Sequence, residues 1–195
     1  MTDGIATTQL EFPRLLDELH HDVMPDGLVA SAAGVVLAST TALRPSDDHP
    51  LHRFGLAVGG ADPSMARPDP RARERFAAGL VDLHLRLLRA VLAHALSHLD
   101  NRTSEGATLL ARQQVQAELA DVATDIWECS TLAELTQSSR ARWQTHLRMV
   151  ATGRALLRLF GASGFLADGP GRELHLAELA GNVYLHPEVS HDQRP

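Results

Sequence analysis

From Arg71 onward the apolar positions keep helical time. Phe76, Leu80, Leu83, Leu87, Val91 and Ala95 recur at three- and four-residue steps, which lays them along one stripe of a helix of about thirty residues. Leu119, Val122, Ile126 and Cys129 form the seam of a second helix, beginning near Leu109 and running to about Leu135. A polar break, Thr136 to Ser139, separates it from a third, whose seam is Trp143, Leu147, Val150 and Leu157 and which ends at Gly161. Pro170 opens a fourth, at a first-turn position where its missing N–H costs nothing, and this helix runs to Tyr184 with Leu174, Ala177, Leu179 and Val183 facing inward. Each stripe needs a neighbour to bury it. Four such helices with short connections predict an all-α, up-down-up-down four-helix bundle over residues 71–187.

The first seventy residues are less regular and predict an irregular appendage with one or two short helices. Leu10 to His21 reads as a short helix with Leu15, Leu16 and Leu19 on one side, stopped by Pro25-Asp26-Gly27. Gly27 to Leu43 is rich in Ala, Val, Ser and Thr without a clean period; helix and strand both fit, and helix is the working expectation. A loop studded with Pro, Gly and Asp follows, enclosing a short Phe54 to Val58 segment able to pair as a strand. Residues 188–195 read as a disordered tail.

Composition narrows the function classes. The chain has 195 residues, enough for one compact domain, and a formal net charge of −6 without a basic stripe, which argues against a nucleic-acid partner. All 18 cationic side chains are Arg. The single cysteine, Cys129, excludes an internal disulfide or a multi-cysteine metal site, and its place on an apolar helix face reads as core. No apolar run reaches the ~20 residues of a membrane span, and no basic segment precedes an apolar one at the N-terminus, so a soluble cytoplasmic protein is expected. His94 and His98 stand one helical turn apart, with His84 further back, but lack an acidic partner nearby in sequence; interfacial histidines rather than a metal site are expected.

Two gap-free patches carry a resemblance. The first is Gly161-Ala162-Ser163-Gly164-Phe165, then Asp168, Pro170 and finally Tyr184-Leu185-His186-Pro187; the second is Arg102, Glu105-Gly106, Gln113, Gln116 and Leu119-Ala120-Asp121. In this order they resemble the C-terminal helical domain of the acyl-CoA dehydrogenase family, over roughly residues 72 to 186. The family's pattern there is an Arg ending a helix, a Phe-Gly, a Gln-rich helix, a Gly-Gly-x-Gly-aromatic turn, and a Tyr-Glu-Gly-Thr stretch. The resemblance implies that Arg102 reaches across a subunit interface to the pyrophosphate of a neighbour's flavin, a group that a guanidinium suits through paired, charge-assisted hydrogen bonds. It likewise implies that Gly106, Gln113 and the backbone of Gly161, Ala162 and Gly164 lie along the dinucleotide arm. Read from the residues alone, Arg102 is equally a solvated loop arginine, Gln113 a surface amide, and the glycine turn an ordinary helix end.

Two departures shape the functional expectation. The family's catalytic glutamate falls on Leu185, which has no group able to accept a proton. Some members carry the base on the first helix of this domain, and there Glu74 is a weak candidate, set against an exposed first-turn glutamate favoured by the helix dipole. The family's Phe is here Glu105. The N-terminal helical and middle β domains that supply most flavin and acyl-CoA contacts do not fit in about seventy residues. The leading expectation is a non-catalytic partner subunit that associates with a longer flavoprotein and contributes to its FAD site, with no flavin retained by the isolated chain. The alternative is a stand-alone homo-oligomeric bundle that binds or isomerises a small acyl or polyketide-like ligand without redox chemistry. A complete FAD-dependent dehydrogenase is the third.

Overall fold

The computed structural model describes residues 11–44, 49–60, 69–135, 138–166 and 169–187. Among them are five α-helices: α1 (Phe12–Val23), α2 (Pro70–Asp100), α3 (Gln113–Leu135), α4 (Ser139–Leu159) and α5 (Pro170–Tyr184). Two short antiparallel hairpins accompany them, β1 (Val35–Ser39) with β2 (Leu56–Gly60) and β3 (Thr103–Ser104) with β4 (Ala107–Thr108). The chain is thus mostly helical, and α2 is its axis: α1, α3, α4 and α5 all pack on it, while α4 also packs on α3 and α5.

The reason lies in α2's breadth. Phe76, Leu80, Leu83, Leu87, Val91 and Ala95 are all buried as expected, and Val81, Leu85 and Leu88 widen the stripe so that it serves several neighbours at once. Leu119, Val122, Ile126 and Cys129 are the buried positions of α3, and Met149, Val150, Leu156 and Leu157 the large apolar buried positions of α4. One expected seam position is wrong: Leu147 is 46 % exposed, and Met149 and Leu156 carry the buried face instead. Of the expected seam, Val150 and Leu157 are buried and Trp143 is half-buried; Leu147 alone lies on the outer face of the helix.

The segment Gly27 to Leu43 corrects the helical expectation. Gly34 has φ 77°, a left-handed turn, and the β-branched Val35-Val36 pair then runs extended as β1. Its partner is the predicted strand around Leu56, with Leu37 opposite Val58 and Ser39 opposite Leu56. Leu37 and Leu56 join Phe12 and Leu16 of α1 in the same hydrophobic cluster as α2 and α5. The expected tail, 188–195, the Asp168 of the family pattern, and Thr136-Gln137 of the polar break lie outside the described residues.

Candidate functional site

Arg102 stands where α2 gives way to the second hairpin. Asn101 caps the helix, its Nδ2 donating to the Ser97 carbonyl at 2.8 Å, and the Arg102 carbonyl accepts from the Leu109 N–H at 2.7 Å across the hairpin base. The hairpin turns on Glu105 and Gly106, with φ of 56° and 82°. Two consecutive positive φ values are what a two-residue turn needs to follow the twist of its strands. In a residue bearing a Cβ such a conformation costs about 1–2 kcal/mol. Arg112 lies against it, donating to the Glu105 carboxylate at 3.2 Å and to Ser104 Oγ at 3.0 Å. The carboxylate near Arg102 is therefore already paired with another cation. The Arg102 side chain is exposed and has no ion pair among the described residues.

The glycine turn reaches the same end of the molecule. α4 closes on Phe160, whose ring lies 5.2 Å from His94 and 5.1 Å from His98, both on the last turns of α2. His98 is one turn before Arg102, and its pKa is lowered by partial burial first, then by the Arg102 and His94 charges. Gly161 follows Phe160 with φ 58° and open space where a side chain would be, the usual left-handed residue after a helix end. Gly164 is different: it is buried, and a Cβ there would stand 2.7 Å from the Leu157 carbonyl oxygen. Its lack of a side chain serves packing. Gly161 and Ala162 are exposed, as are Gly106 at the hairpin tip and Gln113 at the first turn of α3.

A second constellation surrounds Leu185. That side chain is buried, at the C-terminal end of α5, and forms one wall of a cavity of about 380 Å³. Glu74 of α2 lines the same cavity, so the structure brings together the two positions that sequence placed in the catalytic role, one apolar and one an exposed carboxylate. Arg73, Arg142 and His186 line it too, over a floor of Phe76 and Tyr184. Arg73 Nε is buried without a hydrogen-bond partner among the described residues, and neither arginine forms an ion pair there. Sequence reasoning missed both arginines. The available signal was their place at the start of α2 and α4, where cations oppose the helix dipole.

Tyr184, which lines the cavity, and His20, whose ring lies 6.1 Å from it between centroids, were also missed. The Tyr184 hydroxyl accepts from the Leu37 N–H at 2.8 Å and lies 3.2 Å from the Val29 and Leu37 carbonyls, tying β1 to α5. Burial raises its pKa beyond the ordinary range, so it stays a neutral donor. His20 Nδ1 accepts from the Val29 N–H at 3.0 Å, which leaves Nε2 to donate to the Leu37 carbonyl at 2.9 Å. Among the described residues no group of three or more His, Cys, Asp or Glu could hold a metal, and no helix is long and apolar enough to cross a membrane.

No protein-family profile matches the chain, and no curated protein matches it either. Solved structures do. The steroid ACAD Tcur3481-Tcur3483 superposes with a TM-score of 0.57 at 18% identity, over 80% of this chain and 46% of that one. The electron transferring flavoprotein structure of Acidaminococcus fermentans, described in connection with flavin-based electron bifurcation, superposes with a TM-score of 0.50 at 19% identity, over 58% of this chain and 33% of that one. The likeness is to the helical fold of acyl-CoA dehydrogenases, and this chain accounts for between a third and a half of the matched chains' length.

Proposed function

We propose that the protein is an acyl-CoA dehydrogenase-like partner subunit that packs its up-down helical bundle against a longer flavoprotein and completes the edge of that protein's FAD site. The observation that carries this reading is the meeting of Arg102 and the Gly161 turn at one end of the molecule, joined through Phe160 and His98. The residues fit the group. Arg102 is an exposed guanidinium without an ion pair among the described residues, suited to a pyrophosphate. The open, left-handed Gly161 admits close backbone approach, and Gln113 offers a side-chain amide. A bound flavin would supply the hydride acceptor. This chain's share is binding and orientation, because the position of the usual base is the buried Leu185.

Flavin content tests it. The isolated chain is expected to purify colourless, and co-expression with a candidate dehydrogenase to give a yellow complex. Arg102→Ala removes a charge-assisted pair of about 1.5–3 kcal/mol, which weakens flavin retention roughly ten- to a hundredfold. The control is Leu156→Ala, a fully buried position, which should cost about 2–5 kcal/mol of stability. Equal flavin in wild type and Arg102→Ala, with the complex intact, refutes the reading.

The Leu185 cavity favours a second reading, in which the protein binds a small acyl ligand without redox chemistry. Arg73 and Arg142 face an apolar floor there, an arrangement that matches an anionic head on an apolar body.

A further inference from the structure

A second cleft, of about 440 Å³, shares no residue with the Leu185 cavity. It lies between α2, α4 and α5, and its volume falls within the ~300–1,000 Å³ range of small-molecule sites. Val150, Leu157, Leu174 and Leu176 make its walls, and the exposed Phe165 and Leu166 stand at its rim. Arg154, Arg172, His175 and Glu178 also line it, and among its buried lining residues one is not apolar. His84 interrupts the broadest part of the α2 stripe, between Leu83 and Leu85, and is 3 % exposed.

Its imidazole is left unsatisfied. Among the described residues Nδ1 has no hydrogen-bond partner, and the nearest ring, His146 of α4 at 5.7 Å between centroids, does not bond to it. His146 is committed elsewhere, its Nε2 bonded to Asn182 Oδ1 at 3.2 Å and its ring seated on Gly181, where a Cβ would overlap it. A leucine at position 84 would extend the stripe and remove the cost of a buried polar group without a partner. Burial keeps the His84 ring neutral, with a pKa lowered to about 3. The charges lining the cleft lie beside opposite charges: Arg154 bonds Glu178 at 2.6 Å, and Arg172 is 3.6 Å from the Glu173 carboxylate, although its buried Nε has no hydrogen-bond partner among the described residues. The cleft is thus apolar along its buried wall, save for one neutral imidazole there that lacks a partner among the described residues.

We infer that this cleft binds a small neutral molecule with a compact apolar body and a single hydroxyl or carbonyl group, which hydrogen-bonds to His84. An anion or cation is disfavoured, because it would meet a neutral imidazole and side-chain charges that each already lie beside an opposite one. A pure hydrocarbon would leave the imidazole unsatisfied.

Borneol, camphor and camphane test this, since they share one rigid skeleton and differ in carrying a hydroxyl, a carbonyl or neither. Titrations of the full chain, followed by calorimetry and by the ring resonances of labelled histidines, should show borneol and camphor binding about tenfold tighter than camphane, the ratio one neutral hydrogen bond supplies. The His84 resonances should move with the first two only. His84→Leu should bring all three to the affinity of camphane, and Val150→Trp, which fills the cleft, should abolish binding of all three. Equal affinity of the three for wild type, an unchanged ratio in His84→Leu, or no saturable binding overturns the assignment. If His84→Leu does not fold, the wild-type affinity ratio and the selective movement of the His84 resonances decide the matter.

Discussion

Burial of three histidines is expected to make the stability of the protein fall on acidification. His20, His84 and His146 each have a pKa lowered from 6.5, in every case by burial first; a bond to Leu37 opposes this at His20, the bond to Asn182 opposes it at His146, and the His146 charge adds to it at His84. Unfolded, each takes up a proton near pH 6.5; folded, each stays neutral to lower pH. The unfolded state therefore binds more protons below 6.5, and stability falls as pH falls through that window, down to about 3 for His84. Glu173 works the other way: burial raises its pKa despite the bond it accepts from the Phe12 N–H, so the folded state takes up that proton at higher pH than the unfolded state does. Urea denaturation between pH 7.5 and 5 should show a steady loss. His84→Leu should flatten the slope by about one proton, near 1 kcal/mol per pH unit, and an unchanged slope would remove His84 from this account.

At the scale of elements, the contact of α4 with α5 depends on a glycine. The His146 ring occupies the place of a side chain at Gly181, so the two helices approach closely there, and Asn182 bonds the ring. Gly181→Ala forces the ring to move and is expected to cost about 1–3 kcal/mol, the usual range for overpacking a filled core. Helix propensity alone predicts the opposite sign, since Ala stabilises a helix interior by about 1 kcal/mol over Gly. Thermal melts of the two proteins distinguish them: a raised melting temperature would show that the ring relocates freely. His146→Ala should relieve the effect, so that Gly181→Ala is tolerated in its presence.

For the whole molecule, the outer surface of α3 and α4 is more apolar than a lone chain needs. Trp127 and Leu135 of α3 and Leu147 of α4 are exposed large side chains, Trp127 at 69 % and Leu135 at 76 %. Apolar surface of this kind is expected to serve association. The free chain is expected to be dimeric or larger at micromolar concentration, and Trp127→Glu should shift it toward a monomer while leaving helicity unchanged. A monomer mass for the wild type by light scattering would leave a different protein as the only client for these side chains.

Sequence determined the helices. Pro70 and Pro170 at first-turn positions and the left-handed Gly161 past a helix end act through local backbone geometry, and the α2, α3 and α5 stripes act through period alone; those features were legible, except that α3 begins at Gln113 and not near Leu109, where a separate short turn precedes an extended Arg112. Cys129 in the core and the Leu56 strand were legible for the same reason. Tertiary structure decided what period cannot express. Val35 to Ser39 became a strand because Leu56 was there to pair with it and the hydroxyl of Tyr184, nearly 150 positions away, accepts from the Leu37 N–H. Leu147 faces outward because the phase of α4 is set by its packing on α2 and α5. Arg102, Phe160 and Gly161 meet, as do Glu74 and Leu185, only because helix packing closes distances that run along the chain for tens of residues.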